Sequence, residues 1–212
     1  MFQRTHSLSA HSLELSDTDT WLALASRFVA PREVGQNRFV DDVMFRAATW
    51  NDRNQIAALH VTVWRETYRL LAPNSAYEAL DESRRQEHWT ELLARDSARS
   101  RTVVAEANGD LVAFGHAGPS THEAFLGAGE IVLLYVHQLF QGAGIGRQLL
   151  DDLQSFLLDR GHRSVNLAVV NGNDGALRFY ERAGGRVVGR YVDGVMWRSE
   201  NLIVEFEVAP TQ

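Results

Sequence analysis

The sequence predicts an α+β fold whose sheet is mixed, mostly antiparallel, and contains one parallel crossover. Three observations predict it. Helical periodicity dominates the first part of the patterned region, and β-rich runs dominate its middle. Two of those runs, Arg101 to Ala107 and Leu111 to Ala117, are joined by Asn108-Gly109, a two-residue hairpin signal. A third run, Glu130 to Val136 (EIVLLYV), leads through a glycine-rich loop into an amphipathic helix and then to Ser164–Val170 (SVNLAVV). A strand–helix–strand unit of that kind requires parallel strands.

Residues 1–43 carry Ser, Thr and His clusters and one helix signal capped near Ser16 or Asp17, and they do not share the tight patterning that starts after Met44. They are expected to be a loosely packed or disordered N-terminal extension, or sequence upstream of a true start at Met44, with the folded domain spanning 44–212. Within that domain Phe45 to Thr49 reads as a short strand, and Asn51 or Asp52 can cap the helix after it. Ile56, Leu59, Val63, Trp64 and Tyr68 fall on one face of that helix, which Pro73 stops. A second helical stretch is expected from Ser75 to Arg99, carrying Leu80, Trp89, Leu92 and Leu93. After the central strand, Ile145, Leu149, Leu150, Leu153, Phe156 and Leu157 share one helical face, and Gly161 ends that helix. A short helix from Asn173 to Ala183, the pair Gly184-Gly185, and strands near Arg186–Tyr191 and Leu202–Val208 complete the domain.

Composition removes several chemistries. All 21 basic residues are arginine, and the chain has neither lysine nor cysteine. A lysine Schiff base, a Walker-type phosphate loop, a thiol nucleophile and a thiolate metal site are therefore excluded. The net charge of −6 argues against a nucleic-acid partner. The most apolar N-terminal stretch, Trp21 to Ala30, contains Arg27 and falls far short of the roughly 20 residues that span a bilayer. The chain thus reads as cytoplasmic, with no membrane partner. His116, His122 and His137 lack metal-ligand spacing, so no metal is expected.

Gly142, Gly144 and Gly146 stand between a buried strand and a helix start. Glycines there leave backbone N–H groups exposed beside the positive end of the helix dipole, an anion site suited to phosphate, and Arg147 adds charge. A tight turn that needs small residues for strand–helix packing is the structural alternative. A dinucleotide fingerprint fails because position 147 is arginine where it needs glycine.

Gln141-x-x-Gly144-x-Gly146 after LLYV resembles the acetyl-CoA loop of the GNAT superfamily of N-acetyltransferases. Asn171-x-x-x-x-Ala176-x-x-Phe179-Tyr180-Glu181-x-x-Gly184 is similar to that family's next signature, and FRAAT…IAALHVTVWRETY resembles its first strand and helix. The likeness extends from about 44 to 208, with Gly185 standing where many members carry phenylalanine. It implies a GNAT-like sheet splayed between EIVLLYV and SVNLAVV, flanked by helices. It also implies acetyl-CoA as co-substrate: Gly142, Ala143, Gly144, Ile145, Gly146 and Arg147 around the pyrophosphate, and Gln141 in the same loop. The backbones of Leu134, Tyr135 and Val136 would lie along the pantetheine arm, with the Leu134 amide at the thioester carbonyl. Asn171 would hydrogen-bond the arm, and Arg178 and Arg182 could reach the adenosine phosphates.

The reaction the likeness implies is N-acetyl transfer to a small-molecule or peptide amine by direct attack in a ternary complex. An amine with a pKa of about 10.4 lies roughly 4.6 kcal/mol from its neutral form at pH 7, so a base is expected. Glu130 matches the family position of that base, with His116 in reserve and His137 further behind. Tyr180 matches the position of the general acid. A non-catalytic acyl-CoA-binding module on the same fold is the alternative function. Homodimers are common among such proteins, and the sequence leaves the oligomeric state open.

Overall fold

The computed structural model describes residues 42–94, 98–120, 122–125, 127–194 and 197–207. The expected N-terminal extension and its helix lie, apart from residues 42 and 43, outside the described residues. Among the described residues seven strands form one sheet in the order β1-β2-β3-β4-β5-β7-β6. These are β1 Met44–Ala47, β2 Arg101–Ala107, β3 Asp110–Pro119, β4 Gly129–Val136, β5 Ser164–Val170, β6 Arg186–Asp193 and β7 Ser199–Glu207. The helices are α1 Arg53–Tyr68, α2 Asn74–Ala79, α3 Glu82–Ala94, α4 Ile145–Asp159 and α5 Asp174–Arg182. Neighbouring strands run antiparallel except β4 and β5, which are parallel, as the strand–helix–strand unit requires. No helix among these residues is long and apolar enough to cross a membrane.

Local chemistry accounts for the element boundaries. β1 begins at Met44 and ends at Ala47, two residues short of the expected Thr49. Thr49 instead opens a 3-10 turn, where the Asp52 carboxylate accepts from its backbone N–H at 2.6 Å and its hydroxyl at 2.8 Å. Arg46 forks onto the same carboxylate at 2.8 Å, holding the Asp52 carboxyl down at about 2, and also bonds Glu106. The long helix expected from Ser75 to Arg99 is two helices. Leu80 adopts an extended ψ of 96°, and Asp81 restarts the chain by accepting from the Ser83 N–H at 2.8 Å. Periodicity misses this break because Asp is a tolerable interior residue but a better cap. The Asn108-Gly109 hairpin forms as expected, with φ of 54° and 87°, the pair of positive angles a type I′ turn demands.

Two layers cover the sheet. On one face α4 buries Leu149, Leu150, Leu153 and Leu157 completely. A Cβ at Gly115 would stand 2.6 Å from Leu153, and one at Gly129 would stand 2.9 Å from Leu157, so both glycines are spaces that α4 occupies. On the other face α1 and α3 bring His60 and Trp89 against Phe114 and Tyr135. At Gly185 a Cβ would meet Val204 at 2.6 Å and Phe206 at 2.9 Å. That is the packing reason for glycine at a position where many members of the resembled family carry phenylalanine: the β7 side chains already fill the space.

β4 positions the site. His116 lies opposite Leu133 and Ala117 opposite Ile131, so Val132 is an extra residue, a bulge that bends the strand. Before the bulge, β4 pairs with β5 at Gly129 opposite Val165 and Glu130 opposite Asn166. From Ile131 onward β4 has no ladder partner in β5, and the two strands diverge.

Candidate active site

The divergence opens a cleft of about 670 Å³ whose walls are the splayed strands, the glycine loop, α1 and α5. The unpaired edge of β4 from Ile131 to Val136 lines it, facing Leu167 to Val169 of β5. Backbone groups on such an edge are available to an extended ligand in the manner of an added strand.

The glycine loop closes one side. Gly142 and Gly144 adopt φ of 79° and 84°, left-handed angles that side chains rarely accept, and Gly144 caps α4. The loop glycines thereby line the cleft beside the start of a 15-residue helix, where backbone amides can serve an anion. A Cβ at Gly146 would press against the Phe179 ring at 3.4 Å, so this glycine lets α5 approach. Gln141 donates from Nε2 to the Val136 carbonyl at 3.0 Å, tying the loop to the end of β4. Arg147 lines the cleft with its guanidinium held by Asp151 at 2.8 Å.

Tyr180, on α5, lines the cleft yet is only 8% exposed, packed against Phe179 and Phe206. Burial, helped by the nearby Tyr68, pushes its hydroxyl well above the usual tyrosine range, so it holds its proton as a hydrogen-bond donor. Tyr68, at the end of α1, accepts from the Tyr135 hydroxyl and the Asn173 side-chain amide. Burial raises both Tyr68 and Tyr135. Three cleft walls, α1, β4 and the cap of α5, therefore meet at one hydroxyl cluster.

The structure brings most of the sequence-predicted residues together. Leu134, Tyr135, Val136, Gln141, Gly142, Gly144, Gly146, Arg147, Tyr180 and Arg182 all line the cleft. Ala143 and Ile145 do not; Ile145 is buried beneath the loop as the first residue of α4. Asn171 also stands outside the lining, donating from Nδ2 to Glu200 at 2.6 Å. The asparagine that reaches the cleft is Asn173, whose Oδ1 also caps α5 through the Ala176 N–H at 3.3 Å.

Glu130 is buried, 8% exposed, at the closed end of the strand pair and outside the lining. By register it shares the face of Leu133 and Tyr135, the side covered by α1. His116 is also buried, with Nδ1 at 2.8 Å from the Thr102 hydroxyl. The His137 ring accepts from the Leu139 N–H as a 3-10 cap, and burial lowers its pKa.

Sequence reading missed Glu66, Thr67 and Asn173 as lining residues. The signal was the spacing of Val63, Glu66 and Thr67, at i, i+3 and i+4, which places them on one side of α1.

Comparison with known proteins identifies this arrangement. Residues 63–185 match the model of the acetyltransferase (GNAT) family. Over 139 residues the chain is 29% identical to the uncharacterized N-acetyltransferase YuaI of Bacillus subtilis, covering 66% of this chain and 78% of that protein. Among solved structures, the PaiA N-acetyltransferase of Thermoplasma acidophilum in complex with coenzyme A superposes with a TM-score of 0.66 at 18% identity, covering 79% of this chain and 99% of that one. YncA of Salmonella typhimurium, a putative acetyltransferase with its cofactor acetyl-CoA, gives 0.60 at 18% identity, covering 81% and 97%. The splayed strands, the helix-capping glycine loop and the matched segment have one common explanation: this chain belongs to the GNAT family of N-acetyltransferases.

Proposed function

We propose that the protein moves an acetyl group from acetyl-CoA to a primary amine by direct attack, with both substrates in the cleft at once. The observation that carries this reading is the convergence of the glycine loop, the open β4 edge and Tyr180 on one cavity. The residues present fit acetyl-CoA: outward amides and Arg147 suit a pyrophosphate, and the unpaired edge suits an extended amide-bearing arm. When bound, acetyl-CoA supplies an activated acyl group on sulfur.

The chain's own groups then have separable tasks. Amides of Gly142 to Gly146 and the Arg147 guanidinium hold the phosphates. The backbone amide of Leu134 polarises the acyl carbonyl, a role in which a fixed donor strengthens as charge develops. Tyr180 donates a hydrogen bond to the departing sulfur. Its elevated pKa makes complete proton transfer to a thiolate, with a pKa of about 8.5, uphill, so its contribution is a shared proton. Glu130 accepts the amine's proton through water, because its carboxylate lies on the α1 side of β4 beyond the cleft wall. With no cysteine in the chain, an acetyl-thiol route through the protein is closed.

Release of free coenzyme A, measured over a panel of amines, tests the proposal. Turnover on at least one amine is expected, and Glu130→Gln should lower kcat at pH 7 by about 10²-fold, with little change in KM for acetyl-CoA. Acetyl-CoA binding with no turnover on any amine would contradict it.

A further inference from the structure

The cleft carries an uneven distribution of charge that the tasks above do not use. Among the described residues its lining holds two cations, Arg147 and Arg182, and a single carboxylate, Glu66 of α1. Arg147 already has Asp151 as a partner. Glu66 has no cation within salt-bridge distance among the described residues, and partial burial against the cleft wall shifts its carboxyl upward without any compensating group. A carboxylate that lines the cavity without a cation of its own is open to pair with one carried by a ligand.

The neighbours of Glu66 limit what that cation is. Val63 and Thr67 flank it on the same side of α1, and Tyr68 lines the cleft beside it, tilted against Trp64 and edge-on to Trp197. Glu66 itself remains exposed to solvent. The amine's proton is already assigned to Glu130, and the attacking nitrogen must be neutral to react. A cation held by Glu66 is therefore a different group on the acceptor.

We infer that Glu66 is a specificity residue that selects amine acceptors carrying a second positive charge, distal to the nitrogen that is acetylated. The assignment rests on the acetyl-transfer reading, and it predicts that acceptors with a neutral or anionic distal group are used less well.

Three acceptors of matched length test it: 1,5-diaminopentane, 1-aminopentane and 5-aminopentanoate, with coenzyme A release as the readout. The wild-type protein should prefer the diamine by about fivefold in kcat/KM over the neutral amine, through KM, and disfavour the carboxylate further. Glu66→Gln should level the three, and Glu66→Arg should reverse the order, an outcome that mere loss of packing does not produce. The preference should shrink in about 0.5 M NaCl. Turnover without preference, or a preference unchanged in both variants, overturns the assignment. If none of these three is turned over, the wider amine panel decides the acetyl-transfer reading. Equilibrium binding of the same three compounds, followed by tryptophan fluorescence with coenzyme A present, then decides the assignment separately: the same order and the same reversal support it, and equal affinities overturn it.

Discussion

The two halves of β4 make opposite use of the same backbone. From Gly129 to Glu130 the strand is closed: it pairs with β5, and Gly129 leaves room for Leu157 of α4. After the bulge at Val132 the strand is open, its β5-facing edge lines a cavity, and its last carbonyl is taken by Gln141. The difference teaches that one inserted residue converts a structural strand into a binding edge. The closed half anchors the two strands so that the open half can diverge without separating the sheet.

The sharpest way to break this comparison is at Tyr180, on the open side. Tyr180→Phe removes the donor and keeps the ring packed against Phe179 and Phe206. Steady-state kinetics should show kcat lower by about 10²-fold with thermal stability nearly unchanged. Next in size is the glycine loop. Gly144→Val forces a β-branched residue to φ 84°, at a cost of roughly 1–2 kcal/mol. The KM for acetyl-CoA should rise about tenfold, more than kcat falls.

The closed half should respond in the reverse sense. Gly129→Val drives a side chain into Leu157, an overpacking of about 1–3 kcal/mol. Calorimetry should find Tm lower by roughly 2–4 °C per kcal/mol, with the KM for acetyl-CoA within about twofold of wild type. A variant that lost acetyl-CoA binding before it lost stability would mean that the halves are not separable.

A smaller effect comes from the floor of the open half, where His60 packs between Tyr135, Phe114 and Trp89 and accepts from Trp89 Nε1 at 3.3 Å. Burial, with Arg85 and His88 nearby, holds its pKa well below 6.5. Below pH 6.5 the unfolded chain binds a proton there that the folded chain does not, so stability should fall as pH drops from 7 to 5. His60→Gln keeps an acceptor for Trp89 and should flatten that part of the Tm–pH profile.

Local signals make most of the fold legible in the sequence. The I′ hairpin at Asn108-Gly109, the α4 face and the limits of β5 follow from residues that act through their immediate neighbours. The break at Leu80-Asp81 was hidden because Asp81 acts as a cap only once the chain turns there. In the site, the loop and Tyr180 announced themselves through spacing. Glu66 and Asn173 did not, because a carboxylate on an exposed helix position and an asparagine at a cap look ordinary until β4 splays and gives them a cavity to face. The same limit applies to Asn171, whose side chain is engaged by Glu200, 29 residues away.

The central claim is that the acetyl group passes to the amine while both substrates occupy the cleft. Initial rates of coenzyme A release, measured over a grid of acetyl-CoA and amine concentrations, test it most directly. Double-reciprocal plots should intersect, with no coenzyme A released in the absence of amine. Parallel lines, or a stoichiometric burst of coenzyme A without amine, would contradict direct transfer.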